Sequence, residues 1–194
     1  MVDVDLGTLR EDQVDAFGED EVLDLDEDFS LHSELVARLG GLPHRAFFGC
    51  VTTCLTDLRA AYGEGLAGEG LELVERSLTI ARAAAGGLDP LLVKRDAVAL
   101  WSDWCTYMKF DPNADDDDGG GEVVETEVDD DLQGPCAVVV WSLAEPGHRY
   151  EAAEAIARSA ENYIDWNVAG ENARLLLRFI ARANEARPKR PRMS

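Results

Sequence analysis

Apolar residues recur every three or four positions along most of the chain, which is the period of one helix face. Leu31, Leu35 and Leu39 stand at i, i+4 and i+8, and Gly40-Gly41 follows as a stop. The spacing predicts a helix over about 29–39. A second stripe, Phe47, Val51, Cys54, Leu55, Leu58 and Tyr62, predicts a helix over 43–62. Leu71, Val74, Leu78 and Ala81 predict a third over 71–85, ended by Gly86-Gly87. Asp89-Pro90 is a start signal, since the carboxylate accepts from free N–H groups and proline at the first position forfeits no hydrogen bond. The helix it opens is expected to reach Phe110, with Val93, Ala97, Leu100, Trp101, Trp104 and Met108 inward. Two more are expected over 150–167 (Ala153, Ile156, Ala160, Tyr163, Ile164) and 171–186 (Leu176, Leu177, Ile180, Ala181). A short helix over 8–17 has Thr8 as its N-cap and Leu9, Val14 and Phe17 as apolar contacts.

One run does not declare its period. Ala137 to Leu143, with three consecutive valines, suits a buried strand or a buried helix. Helix is the better reading, because Pro135 sits at its start and no second strand is evident to satisfy its backbone groups. The expectation is therefore all-α: one bundle-like domain of six or seven helices over 29–187. An acidic segment, 1–28, precedes it. An acidic loop, 111–133, interrupts it, and a basic tail, 188–194, follows.

Charge sharpens that division. The 194 residues hold 39 acids and 18 bases, a formal charge of −21. Twelve acids fall within 3–28, opposed by Arg10 alone, and eleven within 111–131, opposed by none. That leaves 16 acids and 17 bases elsewhere, so the remaining body is close to neutral. Such blocks are either solvated solubilising segments or a negative field for a basic partner. On the second reading the contact residues are Asp20, Glu21, Asp24, Asp26, Glu27 and Asp28, with Asp115, Asp116, Asp117 and Asp118. Nucleic acid is disfavoured, because its phosphates would be repelled. No apolar run approaches the ~20 residues of a membrane span, and Met1-Val2-Asp3-Val4-Asp5 has neither the basic start nor the apolar stretch of a secretory signal. Cys50, Cys54, Cys105 and Cys136 lie in apolar stretches without a CxxC pair, as reduced thiols in a cytoplasm would.

Candidate chemistry is sparse. Asp111, Asn113, Asp115 and Glu122 fall at positions 1, 3, 5 and 12 of a calcium loop, but Asp116 stands where such a loop needs glycine and Asp118 where it needs an apolar residue. The four cysteines could supply a zinc site, although cysteine on an apolar stripe packs as a small hydrophobe. His32, His44 and His148 fall in no HExxH frame, and a Cys50 or Cys54 nucleophile with His44 as base has no spacing in its favour. His44 reads as a solvent-facing first-turn residue. Trp101, Trp104 and Tyr107 read as core before ligand pocket. Glu151 and Glu154, with Arg149 and Arg158, read as ion pairs on a helix surface.

Leu42-Pro43-x-Arg45-Ala46-Phe47, Arg95-x-Ala97-Val98-x-Leu100-Trp101-x-x-Trp104, the run Cys136–Leu143 and the run Ala152–Ile164 resemble motifs of a bacterial helical family of unknown function, the YjaG-like proteins. The resemblance covers about 42–166. It implies an all-helical fold and carries no catalytic residues. The acidic insert and the last helix with its basic tail depart from the family pattern. The functional expectation is a non-enzymatic acidic interaction protein that binds a basic protein, as an immunity or antitoxin-type inhibitor does, with no required cofactor. An enzyme with a helical active site and a calcium binder using 111–122 stand as alternatives.

Overall fold

A computed structural model describes residues 2–3, 5–16, 23–24, 31–62, 66–109, 132–162 and 171–188, with only the backbone described at 2–3, 23–24, 162 and 171–173. In chain order the elements are β1 (Val2–Asp3), α1 (Glu11–Asp15), β2 (Leu23–Asp24), α2 (Leu31–Gly40), α3 (His44–Tyr62), α4 (Gly68–Gly86), α5 (Pro90–Tyr107), α6 (Gln133–Ala144), α7 (Arg149–Asn162) and α8 (Glu171–Ala186). The expected all-α class is what the chain adopts. The one departure among the described residues is a two-residue parallel pairing, Val2 with Leu23 and Asp3 with Asp24.

The valine run is helical. In α6, Cys136, Ala137, Val139, Val140, Leu143 and Ala144 are all buried, so this helix is apolar on nearly every side. It packs against α4, α5 and α7. Its one buried hydroxyl, Ser142, donates to the Val139 carbonyl at 2.8 Å. Helix lets this run satisfy its own backbone, whereas a strand here would need a partner.

The expected stripes form the core. Phe47, Val51, Cys54, Leu55 and Leu58 of α3 are buried, as are Val93, Ala97, Leu100 and Trp104 of α5, and Leu176, Leu177, Ile180 and Ala181 of α8. Trp101, Met108 and Leu71 are only half-buried. Helix ends follow local chemistry. Asp89 accepts from the Leu91 N–H at 2.9 Å, and Pro90 opens α5 as expected. Gly87 closes α4 at φ +78, its amide donating to the Ala84 carbonyl while the Leu88 amide donates to Ala83. A Cβ on Gly87 would also run into the Arg45 guanidinium, so this position needs glycine twice over.

Three boundaries differ from expectation. α5 stops at Tyr107 and not at Phe110, because Lys109 takes φ +53, which no helix continues through. α4 starts at Gly68, three residues early, with Gly68 at φ +63 ahead of the first regular turn. α1 begins after Arg10, whose N–H donates to the Gln13 side chain at 2.9 Å; Thr8 does not cap it, and donates instead to Asp5 at 3.1 Å. Phe17, Phe29, Tyr163 and Ile164 lie outside the described residues.

Residues 5–16, placed by charge in the acidic segment that precedes the domain, pack onto the bundle, and the expected apolar contacts Leu9 and Val14 are among those that do so. Leu6, Leu9 and Val14 are buried in the core. Glu11 accepts from Arg182 at 2.6 Å and Asp15 from Arg178 at 2.9 Å. Asn184 donates to the Leu6 and Leu9 carbonyls at 2.9 and 3.0 Å. Arg182 also reaches Asp57 of α3 at 2.6 Å, so one guanidinium ties α1, α3 and α8 together. Glu11 is structural, because Arg182 neutralises it in a partly buried setting, whereas the Asp15–Arg178 pair is exposed and contributes little.

Candidate partner-binding surface

Helices α4 and α5 pack side by side, α4 also contacting α3. The first turns of α4 therefore meet the last turns of α5. Gly70 permits the close approach: a Cβ there would lie 2.7 Å from the Tyr107 hydroxyl oxygen and 3.0 Å from Gln133 Nε2. Above this contact opens a cleft of about 270 Å³ lined by Glu69, Glu72, Leu73, Arg76, Asp103 and Thr106. Its floor is rigid. The buried Trp104 indole donates to Ser77 Oγ at 3.0 Å, and Ser77 in turn donates to the Leu73 carbonyl at 2.8 Å.

Three carboxylates and one guanidinium line the cleft. Arg76 is taken by Asp103 at 2.6 Å, while Glu69 and Glu72 are exposed and have no cationic partner among the described residues. Glu69 lies in the first turn of α4, where the helix dipole favours a negative charge. The acidic stretch begins at Asp111, four residues beyond the end of α5, and the chain returns at the buried Leu132 just before α6. The stretch is thus tethered at the end of the bundle that carries the acidic cleft.

Of the residues that charge singled out, Asp20, Glu21, Asp26, Glu27, Asp28 and Asp115 to Asp118 lie outside the described residues, as do the calcium-loop positions Asp111, Asn113 and Glu122. Asp24 is placed by its backbone alone, paired with Asp3. Sequence reasoning missed Glu69, Glu72 and Asp103. The first two stand at i, i+3 on one helix, but Asp103 joins them only through the packing of α4 on α5.

The other candidates fall as follows. All four cysteines are free and buried. Burial first, then the neighbouring Cys50, pushes the Cys54 thiol well up from its ordinary value, and burial does the same to Cys136. Thiols so placed stay protonated and are poor nucleophiles. Among the described residues, no three His, Cys, Asp or Glu side chains converge as a metal site would require. His44 is exposed, as expected, and its ring meets Phe48 edge-on at 4.8 Å. Partial desolvation of the ring against its neighbours, then Arg149 and Arg45, lowers its pKa.

Trp101 stacks on Trp141 at 5.7 Å, and Trp141 on His148 at 3.6 Å, so the aromatic stripe of α5 packs on α6 and, through it, on the residue that precedes α7. Arg158 does pair with Glu154, at 3.8 Å. Arg149 does not join that surface network; it donates to the Leu42 carbonyl at 2.6 Å and its guanidinium lies 4.4 Å over the Phe47 ring. His32 bridges α2 to α7, its two ring nitrogens each 2.9 Å from a carboxylate oxygen, of Glu154 and Glu161. None of the described helices is long and apolar enough to cross a membrane. Comparison with family models, curated proteins and solved structures finds no match to this chain.

Proposed function

We propose that this chain is a non-enzymatic acidic interaction protein, of the immunity or antitoxin kind, whose acidic end receives a basic protein. The observation that carries the reading is the coincidence of two negative features at one end of the bundle. The cleft of Glu69, Glu72 and Asp103 lies where the eleven unopposed acids of 111–131 are tethered. Exposed ion pairs contribute only ~0–1 kcal/mol each. Affinity then comes from their number, and the main gain is in association rate. A rigid helical scaffold needs no catalytic group for this, and the resemblance to the YjaG-like family, part of the same proposal, brings none. Buried, protonated thiols suit a bacterial cytoplasm.

The test is affinity isolation from native-host lysate at low salt, with the full chain and with a variant carrying Glu69→Gln, Glu72→Gln, Asp103→Asn and Asp115–Asp118→Asn. The wild type should retain a basic protein that the variant and high salt both release. Recovery of no basic protein, or equal recovery by the variant, counts against the reading.

A further inference from the structure

The opposite end of the same helices has the complementary chemistry. There the start of α3, the end of α4, the start of α5 and the end of α6 enclose an open cleft of about 220 Å³. Its walls are apolar, including Ala84, Leu88, Leu91 and Leu143, and its charged lining residues are the cations Arg45 and Lys94, with His44 beside them. The neighbouring carboxylate of Asp89 keeps its charge but faces the first turn of α5, accepting from the Leu91 amide, and Arg95 is already paired with Asp96 at 2.8 Å. Neither Arg45 nor Lys94 has a carboxylate partner among the described residues. Leu91 is 76% exposed and Leu88 50%, the side chains of a surface that water covers poorly. The volume is below the roughly 300–1,000 Å³ of a small-molecule pocket, and fits one or two side chains of a polypeptide.

We propose that this basic, apolar cleft receives the acidic end of a second copy of the chain, so that copies associate head to tail. Charge complementarity selects that occupant. The acidic end offers Glu69, Glu72 and the 111–131 stretch, in which Val123, Val124 and Val128 stand among the carboxylates. Leu91 and Thr106, at the two ends of α5, are fifteen residues apart, roughly 22 Å at 1.5 Å per residue. Head-to-tail stacking therefore keeps the like-charged ends of neighbouring copies well beyond the ~8 Å screening length at physiological salt. The net charge of −21 does not forbid contact, because it resides in the acidic segments and not in the receiving end. Such a contact is heterologous and leaves one free end of each kind, so it builds open chains or rings, not a closed symmetric pair.

The inference rests on the acidic end being a binding surface, and sedimentation with a basic probe separates the two claims. Full-length protein is examined at physiological salt from about micromolar to millimolar concentration, the range of a weak interface, alongside Arg45→Glu/Lys94→Glu, and each is titrated with decalysine. The wild type should gain mass with concentration. The double variant should associate about tenfold more weakly, yet bind decalysine at least as tightly as the wild type does, since its acidic end is intact and no longer occupied by a second copy. A second variant, Leu91→Ser, weakens association without altering charge. A wild type that stays single throughout, or a double variant that associates equally well, overturns the inference. If the single-copy wild type still binds decalysine, the proposed function stands; loss of both removes both.

Discussion

Ser77 and Trp104 show how single residues hold the acidic cleft in shape. The indole N–H is fully buried and its acceptor is the Ser77 hydroxyl. Ser77→Ala leaves that donor without a partner, which costs ~1–3 kcal/mol. Urea unfolding should report it as a lower midpoint with an unchanged slope. His44 makes a pH-dependent contribution whose sign follows from its surroundings. Partial desolvation, Arg149 and Arg45 disfavour the imidazolium, so the folded-state pKa lies below the 6.5 of the free side chain. The unfolded chain then takes the proton more readily, and stability falls as pH drops below that value. His44→Gln should flatten this part of the pH profile relative to wild type, read from urea midpoints on either side of pH 6.5. The core residues were legible in the sequence because burial follows helical period. The partners of Arg149 and Ser77 were not, because a carbonyl or hydroxyl acceptor on another helix leaves no mark on spacing.

Among the elements, α1 departs most from what its composition suggests. Its acids crowd one another in sequence, which reads as repulsion and solvation. The cations that resolve this, Arg178 and Arg182, lie more than 160 residues away. No local pattern exposes that pairing. Leu9, 3% exposed, should cost ~2–4 kcal/mol when replaced by alanine, and removal of residues 2–16 should lower the urea midpoint. An unchanged midpoint after that truncation would show that α1 rests on the surface without supporting it. By contrast, the helical state of α6 was legible despite its valines, because proline at the start and the lack of a pairing strand both pointed one way. The early end of α5 was not, since Lys109 in the left-handed region is an exception for a residue with a Cβ.

At the scale of the whole molecule, the division of charge is a property of the sequence, and its direction is a property of the fold. Counting acids locates the blocks. Only the up-and-down course of α3 to α6 puts Glu69, Glu72 and Asp103 beside the tether of 111–131 and leaves Arg45 and Lys94 at the far end. The described part of the molecule is therefore polar along its helices as well as acidic. The role proposed for the unopposed acids of 111–131 is to bind a basic partner and not to hold the fold. The most direct measurement replaces 111–131 by a glycine–serine linker of equal length and follows decalysine affinity and urea midpoint together. The expected result is an affinity at least about tenfold weaker with the midpoint unchanged; a linker variant that binds decalysine as tightly as the wild type would contradict that role.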